Sequence, residues 1–196
     1  NDAQGRTQPR LLESWTVAGD GLSWDLRVRP GVRFQDGVPL TAADVKRTFD
    51  TAIANPAIRG ISVCLPFVAS VEAPTDRNVI VRLTRRCSYL LDDLDRAVIR
   101  MGSDGTTRIG TGAFSITSST PDAITLEANR HHYSGRPAFD RVIVKPFDAL
   151  RTAWAEMMRG RVDFLWEVGP DTAEFLSDRT AVEVRSFPSY YAYALM

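Results

Sequence analysis

Few residues of this chain are of the types that perform chemistry, and the two adjacent histidines are the first candidates. His131 and His132 are the only histidines among the 196 residues, and no cysteine lies near them in the sequence. Neighbouring side chains in an extended segment point to opposite sides, so the two rings cannot easily share a metal ion. The pair therefore does not predict a metal site, and we expect no cofactor.

A glycine-rich segment at residues 108–116, RIGTGAFSI, is the second candidate for a chemical role. A loop that grips phosphate needs a helix directly after it, because the free N–H groups and the dipole of that helix meet the anion. Here the residues after Gly112 follow a β pattern, and neither a third glycine nor a Lys-Ser/Thr pair is present. The context favours a structural turn that starts a strand, in which glycine would serve a positive φ angle.

A catalytic constellation is not found among the other residues. The sequence contains no Gly-x-Ser-x-Gly elbow, and neither histidine suggests a triad or a Cys-His pair. Adjacent carboxylates such as Asp92 and Asp93 are common on solvated helix faces. We therefore expect a protein that is not an enzyme.

The two cysteines, Cys64 and Cys87, are predicted to form a disulfide. In a hairpin centred on residues 75 and 76, position 71 faces 80 and position 68 faces 83, so the partners' numbers sum to 151. The same ladder places Cys64 opposite Cys87, and directly opposed residues have the Cα separation that a disulfide accepts. Pro66 could bend the strand and spoil this register, and two cysteines can align by chance. A bridge would indicate an oxidising compartment.

Alternation and turn signals predict the elements that must position these residues. Residues 22–29, LSWDLRVR, alternate between apolar and polar side chains, which indicates a half-buried strand. TAAD at residues 41–44 predicts a capped helix start, and Asn55-Pro56 ends that helix. The remaining predicted elements are a short strand at 32–34, a hairpin of 68–72 with 78–84, a short helix at 89–94, a hairpin of 113–117 with 123–128, strands at 139–147, 163–166 and 182–187, a helix at 148–159 with Leu150, Trp154, Met157 and Met158 facing inward, and a brief helix after Pro170. The fold class is mixed α and β (α+β).

Composition excludes several classes of partner. The chain has 24 basic and 24 acidic residues, so it has no overall field that would gather nucleic acid or an anionic membrane. No apolar run approaches the roughly 20 residues that span a bilayer, and no signal peptide opens the chain. We expect any targeting segment of an exported protein to have been removed.

Three stretches together resemble the family 5 solute-binding proteins, which are the peptide- and nickel-type receptors of ABC importers. They are residues 11–45, LLESWTVAGDGLSWDLRVRPGVRFQDGVPLTAADV, residues 110–147, and GRVDF at 160–164. The chain departs from the family pattern at Ala113, where proline is usual, and at Ala128, Arg130 and His132. The matching positions are Trp15, Asp20, Gly21, Arg29, Gly31, Phe34, Asp36, Gly37, Thr41, Asp44 and Val45 in the first stretch, Gly110, Thr111, Gly112, Phe114, Asn129, Tyr133, Gly135, Pro137, Asp140 and Val142 in the second, and Gly160, Val162 and Asp163 in the third.

The resemblance implies an incomplete lobe of the type II periplasmic-binding-protein-like fold, with a mixed sheet and β-hairpins. Residues 1–196 would be part of the N-terminal lobe of a two-lobed protein, and the second lobe would be absent. Within it, residues from about 41 to 110 would form a smaller subdomain, and residues 111–196 would return to the sheet of the main lobe. We expect the chain to be a piece of a longer receptor.

The function implied is that of the substrate-binding component of an ABC importer outside the cytoplasm, in the periplasm or on the cell surface, for oligopeptides or dipeptides. Its partners would be the ligand and the permease. We expect a monomer that binds no nucleic acid and meets the membrane only through a lost lipid anchor or permease docking. A solute-sensing domain of a transcriptional regulator and a receptor for a nickel chelate or another small solute are the alternatives.

Two arginines are candidate ligand contacts through the same resemblance. In nickel-type relatives, arginines near the segments that match AIRGIS at 57–62 and AVIRMG at 97–102 face the cleft and meet anionic chelates. The nearest arginines here are Arg59 and Arg100. The alternative for each is a solvated loop arginine.

Overall fold

A computed structural model describes residues 7–94, 98–166 and 182–185. The chain divides into two compact units, Asn1–Val144 and Lys145–Met196. Within the described part of the chain, no helix has the length and apolar character needed to cross a membrane. The elements in chain order are β1 Leu12–Val17, β2 Ser23–Val28, α1 Ala42–Ala54, α2 Pro56–Ile61, a 3-10 helix Leu65–Phe67, β3 Val68–Thr75, β4 Asn78–Leu83, α3 Leu90–Asp93, β5 Arg100–Met101, β6 Arg108–Ile109, β7 Phe114–Ser119, β8 Ile124–Ala128, β9 Arg141–Val144 and α4 Leu150–Met158.

The core of the first unit lies under an antiparallel sheet in the order β1-β2-β4-β3. The predicted alternation of β2 is confirmed, because Trp24, Leu26 and Val28 are buried while Arg27 is exposed. Helix α1 contributes Val45, Phe49 and Ala52 to the same apolar cluster. The sheet and α1 thus share one apolar core, and the surrounding loops extend from these elements.

The predicted start of α1 is confirmed in its details. The carboxylate of Asp44 accepts hydrogen bonds from the backbone N–H and the hydroxyl of Thr41, both at 2.9 Å. The helix ends before Asn55, as predicted, and the Asn55 side chain accepts from the N–H groups of Ala57 and Ile58. Asn55 therefore caps α2, a second short helix that the sequence did not predict.

The hairpin of β3 and β4 is confirmed, but its predicted register holds over only part of its length. Val68 lies opposite Leu83, as predicted, and an irregularity between Val68 and Ser70 then shifts the register by one residue. Val71 consequently faces Val81 and not Ile80, its predicted partner. Strand β3 also continues to Thr75, so only the last two residues of the predicted turn APTDR form a turn.

The second hairpin forms from β7 and β8, and β9 extends it to a three-stranded sheet in the order β7-β8-β9. A two-residue ribbon of β5 and β6 precedes it. Every strand pairing among residues 7–94, 98–166 and 182–185 is antiparallel, so the parallel pairs of the expected mixed sheet are not seen there. Because β4 pairs with β2, the predicted subdomain at about 41–110 shares a sheet with earlier residues, and its limits stay a prediction.

Several other predictions are wrong. The predicted strand at 32–34 contributes a single bridge, between Arg33 and Pro39. Residues 163–166 and 182–185 are not strands, and the predicted helix after Pro170 lies outside the described residues. In the second unit α4 forms as predicted and Gly160 follows it with φ 69°, but the helix buries Ala153 and leaves two predicted inward residues, Leu150 and Met158, more than 40% exposed.

Candidate functional site

A disulfide joins Cys64 and Cys87, with their Cα atoms 5.7 Å apart. Cys64 is fully buried, and it precedes the 3-10 helix that contains Pro66. The strand ladder that led to this pairing therefore does not reach Cys64. The two segments that contain the cysteines stay close because the Thr84 N–H donates to the Phe67 carbonyl at 2.8 Å, one step beyond the last strand pair.

The end of α3 holds the disulfide segment from the other side. One carboxylate oxygen of Asp93 accepts from the Cys64 N–H at 2.6 Å and from the Leu65 N–H at 3.3 Å, and the other accepts from the Val63 N–H at 3.3 Å. A carboxylate that gathers three backbone donors fixes this loop firmly. Asp93, which the sequence suggested was an ordinary solvated residue, is a structural anchor.

Arg59 lies on α2 and is exposed to solvent. It is not among the residues that line the cleft containing Arg100. The structure therefore does not bring the two predicted arginines into a common cleft.

Arg100 lies on β5 and forms an ion pair with Asp36, a residue 64 positions away in the sequence. The exposed fractions of the two side chains are 25% and 28%, so water screens this pair less than it screens a fully exposed one. The guanidinium carbon also lies 5.7 Å from the centre of the buried Phe34 ring, within the range of a cation–π contact. The Nε atom of Arg100 is buried and has no hydrogen-bond partner among the described residues.

Gln35 attaches the turn that contains Asp36 to the glycine-rich segment. Its backbone N–H donates to the Gly110 carbonyl at 2.9 Å. Its side-chain amide donates to the Phe114 carbonyl at 2.7 Å and accepts from the Gly110 N–H at 3.3 Å. The position of Asp36 relative to β6 and β7 is thereby set by bonds at both ends of the Gly-Thr-Gly segment.

The Gly-Thr-Gly segment is a turn into a strand, as predicted, but the reason given for its glycines is wrong. Neither Gly110 nor Gly112 has a positive φ angle. A Cβ atom at Gly112 would lie 3.7 Å from the Phe114 carbonyl oxygen, which is ordinary contact distance. The segment forms hydrogen bonds with Gln35 through its backbone N–H and carbonyl groups, and these bonds do not require glycine.

An open cleft of about 420 Å³ lies beside the Arg100–Asp36 pair. Its rim is the turn between β5 and β6, where the Asp104 carboxylate accepts from the N–H groups of Thr106 and Thr107 and from the Thr107 hydroxyl. These hydrogen bonds, the one from the Thr107 hydroxyl foremost, hold the pKa of Asp104 well below its usual range. The lining residues are Asp36, Arg100, Met101, Gly102, Ser103, Asp104, Thr107 and Ile109.

The chemistry available in this cleft is recognition of an anion by a guanidinium. Arginine offers a planar fork of N–H donors that matches the two oxygens of a carboxylate. The part of the chain that the structure describes contains no group of three or more His, Cys, Asp or Glu residues arranged to hold a metal ion. His132 packs its ring against Tyr133 at 4.4 Å between centroids.

The roles of Phe34, Gln35 and Asp36 around Arg100 were not predicted from the sequence. All three belong to the RFQDG segment, of which only Phe34, Asp36 and Gly37 were singled out, as family matches and turn residues. A signal that could have joined them to Arg100 would have to span about a third of the chain, and local periodicity carries none.

The comparisons with known proteins agree on one family. The family described as bacterial extracellular solute-binding proteins, family 5 Middle, matches residues 6–196. A Brucella ovis protein whose name contains the words ABC transporter peptide-binding protein is 27% identical over 184 residues, which are 86% of this chain and 35% of that protein. The glutathione-binding protein GsiB of Escherichia coli K12 is 25% identical over 201 residues, which are 96% of this chain and 39% of GsiB.

A solved structure extends the agreement to the fold. NikA from Brucella suis, in complex with Fe(III)-EDTA, superposes with a TM-score of 0.80 at 25% identity, over 90% of this chain and 39% of NikA. The type II periplasmic-binding-protein fold expected from the sequence is confirmed by such neighbours. The chain spans only a little more than a third of the length of these relatives. Because the family match covers nearly all of its residues, the chain belongs to family 5 of the bacterial extracellular solute-binding proteins.

Proposed function

We propose that the protein is the substrate-binding component of an ABC importer and that it delivers oligopeptides or dipeptides to a permease. The family match over residues 6–196 carries this proposal. Solute-binding proteins of this family work in the periplasm, which agrees with the predicted location and with a disulfide that needs an oxidising compartment. The names of two relatives narrow the class of ligand. The name of the Brucella ovis protein refers to peptide binding, and that of GsiB refers to glutathione binding.

The ligands of these relatives have one chemical group in common. Peptides and glutathione carry free carboxylates, and the EDTA bound to NikA carries carboxylates that coordinate the iron. Arg100 borders an open cleft, and its guanidinium is suited to bind such a group. Arg59 is exposed on a short helix and is a second candidate contact on the same charge argument.

The ligand would lie between this lobe and a second lobe, contributed by a part of the protein outside this sequence. A ligand favours the closed state only through contacts with both lobes that the open state lacks. Closure about a hinge would then bury the ligand and present the closed shape to the permease. On this basis residues 1–196 supply one half of the binding surface.

A receptor for a metal chelate is the second candidate, and the superposition with NikA favours it. Calorimetry on the full-length protein separates the two, with tri-alanine as one probe and Fe(III)-EDTA as the other. The peptide proposal predicts a Kd of about 1 μM or tighter for tri-alanine, which corresponds to roughly −8 kcal/mol. Binding of Fe(III)-EDTA alone would replace it by the chelate function, and binding of neither probe would contradict both.

Import itself is tested in cells. Deleting the gene from its host should abolish growth on tri-alanine as the sole nitrogen source, and the intact gene should restore that growth. Unimpaired growth and uptake in a strain that lacks other peptide importers would contradict the transport role.

A further inference from the structure

We propose that Asp36 is a built-in counter-ion of Arg100, which occupies the guanidinium while the cleft is empty and is displaced by the carboxylate of the ligand. The inference rests on the proposed function, since it takes Arg100 as a ligand contact. It goes beyond that function because it gives Asp36, an acidic residue, a part in setting the affinity for carboxylate ligands.

The Asp36 pair uses fewer N–H donors of the Arg100 guanidinium than a carboxylate can use. Asp36 contacts Arg100 through Oδ2 and one Nη atom, while the Nε–H has no partner in the described part of the chain. A carboxylate that approaches the fork side-on bonds to Nε and Nη together, and such bidentate pairs are the strong ones. A ligand carboxylate that moves the guanidinium far enough to expose Nε therefore gains a hydrogen bond that the resting pair lacks.

The guanidinium keeps its contact with an aromatic ring when Asp36 leaves. The ring of Phe34 lies under it at 5.7 Å and is itself only 2% exposed, so it stays in place while the anion changes. Asp36 can turn toward water when its Oδ1 releases the Val38 N–H, a hydrogen bond of 3.2 Å, because 28% of its side chain is already exposed. The exchange needs movement of two side chains and none of the backbone.

Asp36 is held where it must compete with the ligand. The three hydrogen bonds of Gln35 to Gly110 and Phe114 fix the turn, so Asp36 cannot drift away from the cleft. A ligand that takes the guanidinium must therefore break the resting ion pair. A ligand with a free carboxylate replaces the ion pair that it breaks, whereas an amidated ligand cannot and leaves the pair in place.

A purely structural ion pair makes the opposite prediction. If Asp36 only positions Arg100 for the ligand, its loss should weaken the binding of carboxylate ligands. If it competes with the ligand, its loss should strengthen that binding. The sign of the change in affinity therefore decides between the two roles.

Calorimetry on the full-length protein measures this sign with two probes, tri-alanine with a free carboxylate and tri-alanine amide. We expect Asp36→Asn to bind tri-alanine about tenfold more tightly and the amide with unchanged affinity. Arg100→Ala should lose the preference for the free acid. Asp140→Asn, which removes one carboxylate from the exposed Arg136–Asp140 pair, is the matched control for net charge and should bind both probes as the unaltered protein does.

A second readout does not depend on the identity of the peptide. The Nε–H resonance of Arg100 in ¹⁵N-labelled full-length protein should shift when sodium acetate replaces sodium chloride at constant ionic strength. The shift should occur at lower acetate concentration in Asp36→Asn than in the unaltered protein. Arg100→Ala identifies the resonance by its loss.

The outcomes separate this inference from the proposed function. Weaker binding of tri-alanine by Asp36→Asn would overturn the counter-ion role, and so would an acetate response that is the same with and without Asp36. Failure of both peptides to bind, together with the expected acetate response, would contradict the peptide function and leave the counter-ion supported. Peptide binding that is unchanged in Arg100→Ala would remove this pair from the binding site and end the inference.

Discussion

The Cys64–Cys87 disulfide gives the sharpest prediction for the stability of this fold. The change to make is the double substitution Cys64→Ala and Cys87→Ala. Alanine suits the fully buried position 64, because serine would bring a hydroxyl without an assured partner into the core. The Asp93 hydrogen bonds to the backbone of this segment are kept in the variant, so the comparison isolates the covalent link.

The magnitude follows from the length of the loop that the bridge closes. The two cysteines are 23 residues apart, and the chain-entropy relation gives about 3.4 kcal/mol for a loop of that length near room temperature. The β3–β4 hairpin lies inside this loop, and residual hairpin structure in the unfolded chain lowers the entropy that the bridge removes. We therefore expect the double variant to lose about 3 kcal/mol of unfolding free energy.

Urea unfolding followed by tryptophan fluorescence measures this loss, since Trp24 is buried in the core and becomes exposed on unfolding. With a slope of about 2 kcal/mol per molar urea, the midpoint should fall by roughly 1.5 M. Reduction of the unaltered protein should produce a similar fall, and reductant should not affect the double variant. Equal midpoints for the unaltered protein and the double variant, or two free thiols in denatured protein taken from the periplasm, would refute the reasoning.

Three further predictions concern the core, a helix cap and the turn beside the cleft. Leu26→Ala should lower the free energy of unfolding by about 3 kcal/mol, because Leu26 is fully buried in β2, and urea unfolding measures it. Thr41→Ala should cost about 1 kcal/mol through the lost bond to Asp44, with Thr120→Ala in a distant turn as a smaller comparison. Gln35→Ala should cost about 1–2 kcal/mol and, because it loosens the turn that holds the competing Asp36, should tighten the binding of tri-alanine in calorimetry. An effect of Leu26→Ala on affinity as large as that of Gln35→Ala would contradict the positioning role of the turn.

The part of the fold that was predicted from the sequence is the part where local signals agree. Helix α1 was placed correctly because its cap, its apolar spacing and the Asn55-Pro56 stop all indicate one element. Strand β1 was missed because neither of its faces is apolar, and its side chains are only partly buried at one edge of the sheet. The β5–β6 ribbon pairs two residues with two, which is too short for any periodicity to show.

The register shift in β3 shows a second kind of limit. Alternation specifies which face a residue takes, and a bulge changes which residue it faces on the partner strand. No glycine or proline lies at the irregularity between Val68 and Ser70, so the sequence contains no signal for it. The disulfide partners were nevertheless identified, because the pair of Val68 and Leu83, on the side of the bulge nearest the cysteines, has the predicted register.

The candidate site was predicted for one member of each interaction and not for its partner. Arg100 was named through a family resemblance, and Asp36 was assigned only to a turn. Asp36 and Arg100 lie 64 residues apart, and Gln35 lies 75 residues from Gly110 and 79 from Phe114. Contacts of this range arise from the packing of the ribbon and the glycine-rich segment against one turn, which no local pattern encodes.

Arg100 differs from Arg47 and Arg136 in its partner and in its unused donor. Arg47 pairs with Asp44 and Arg136 with Asp140 at helical or turn spacing, and these arginines are more than half exposed. Such pairs are screened by water and contribute little. The Arg100–Asp36 pair is three-quarters buried, joins distant segments and leaves the Nε–H without a partner in the described chain. A purely structural ion pair would be more stable if that donor had a partner. A site that exchanges one carboxylate for another can instead use the donor to bind the ligand.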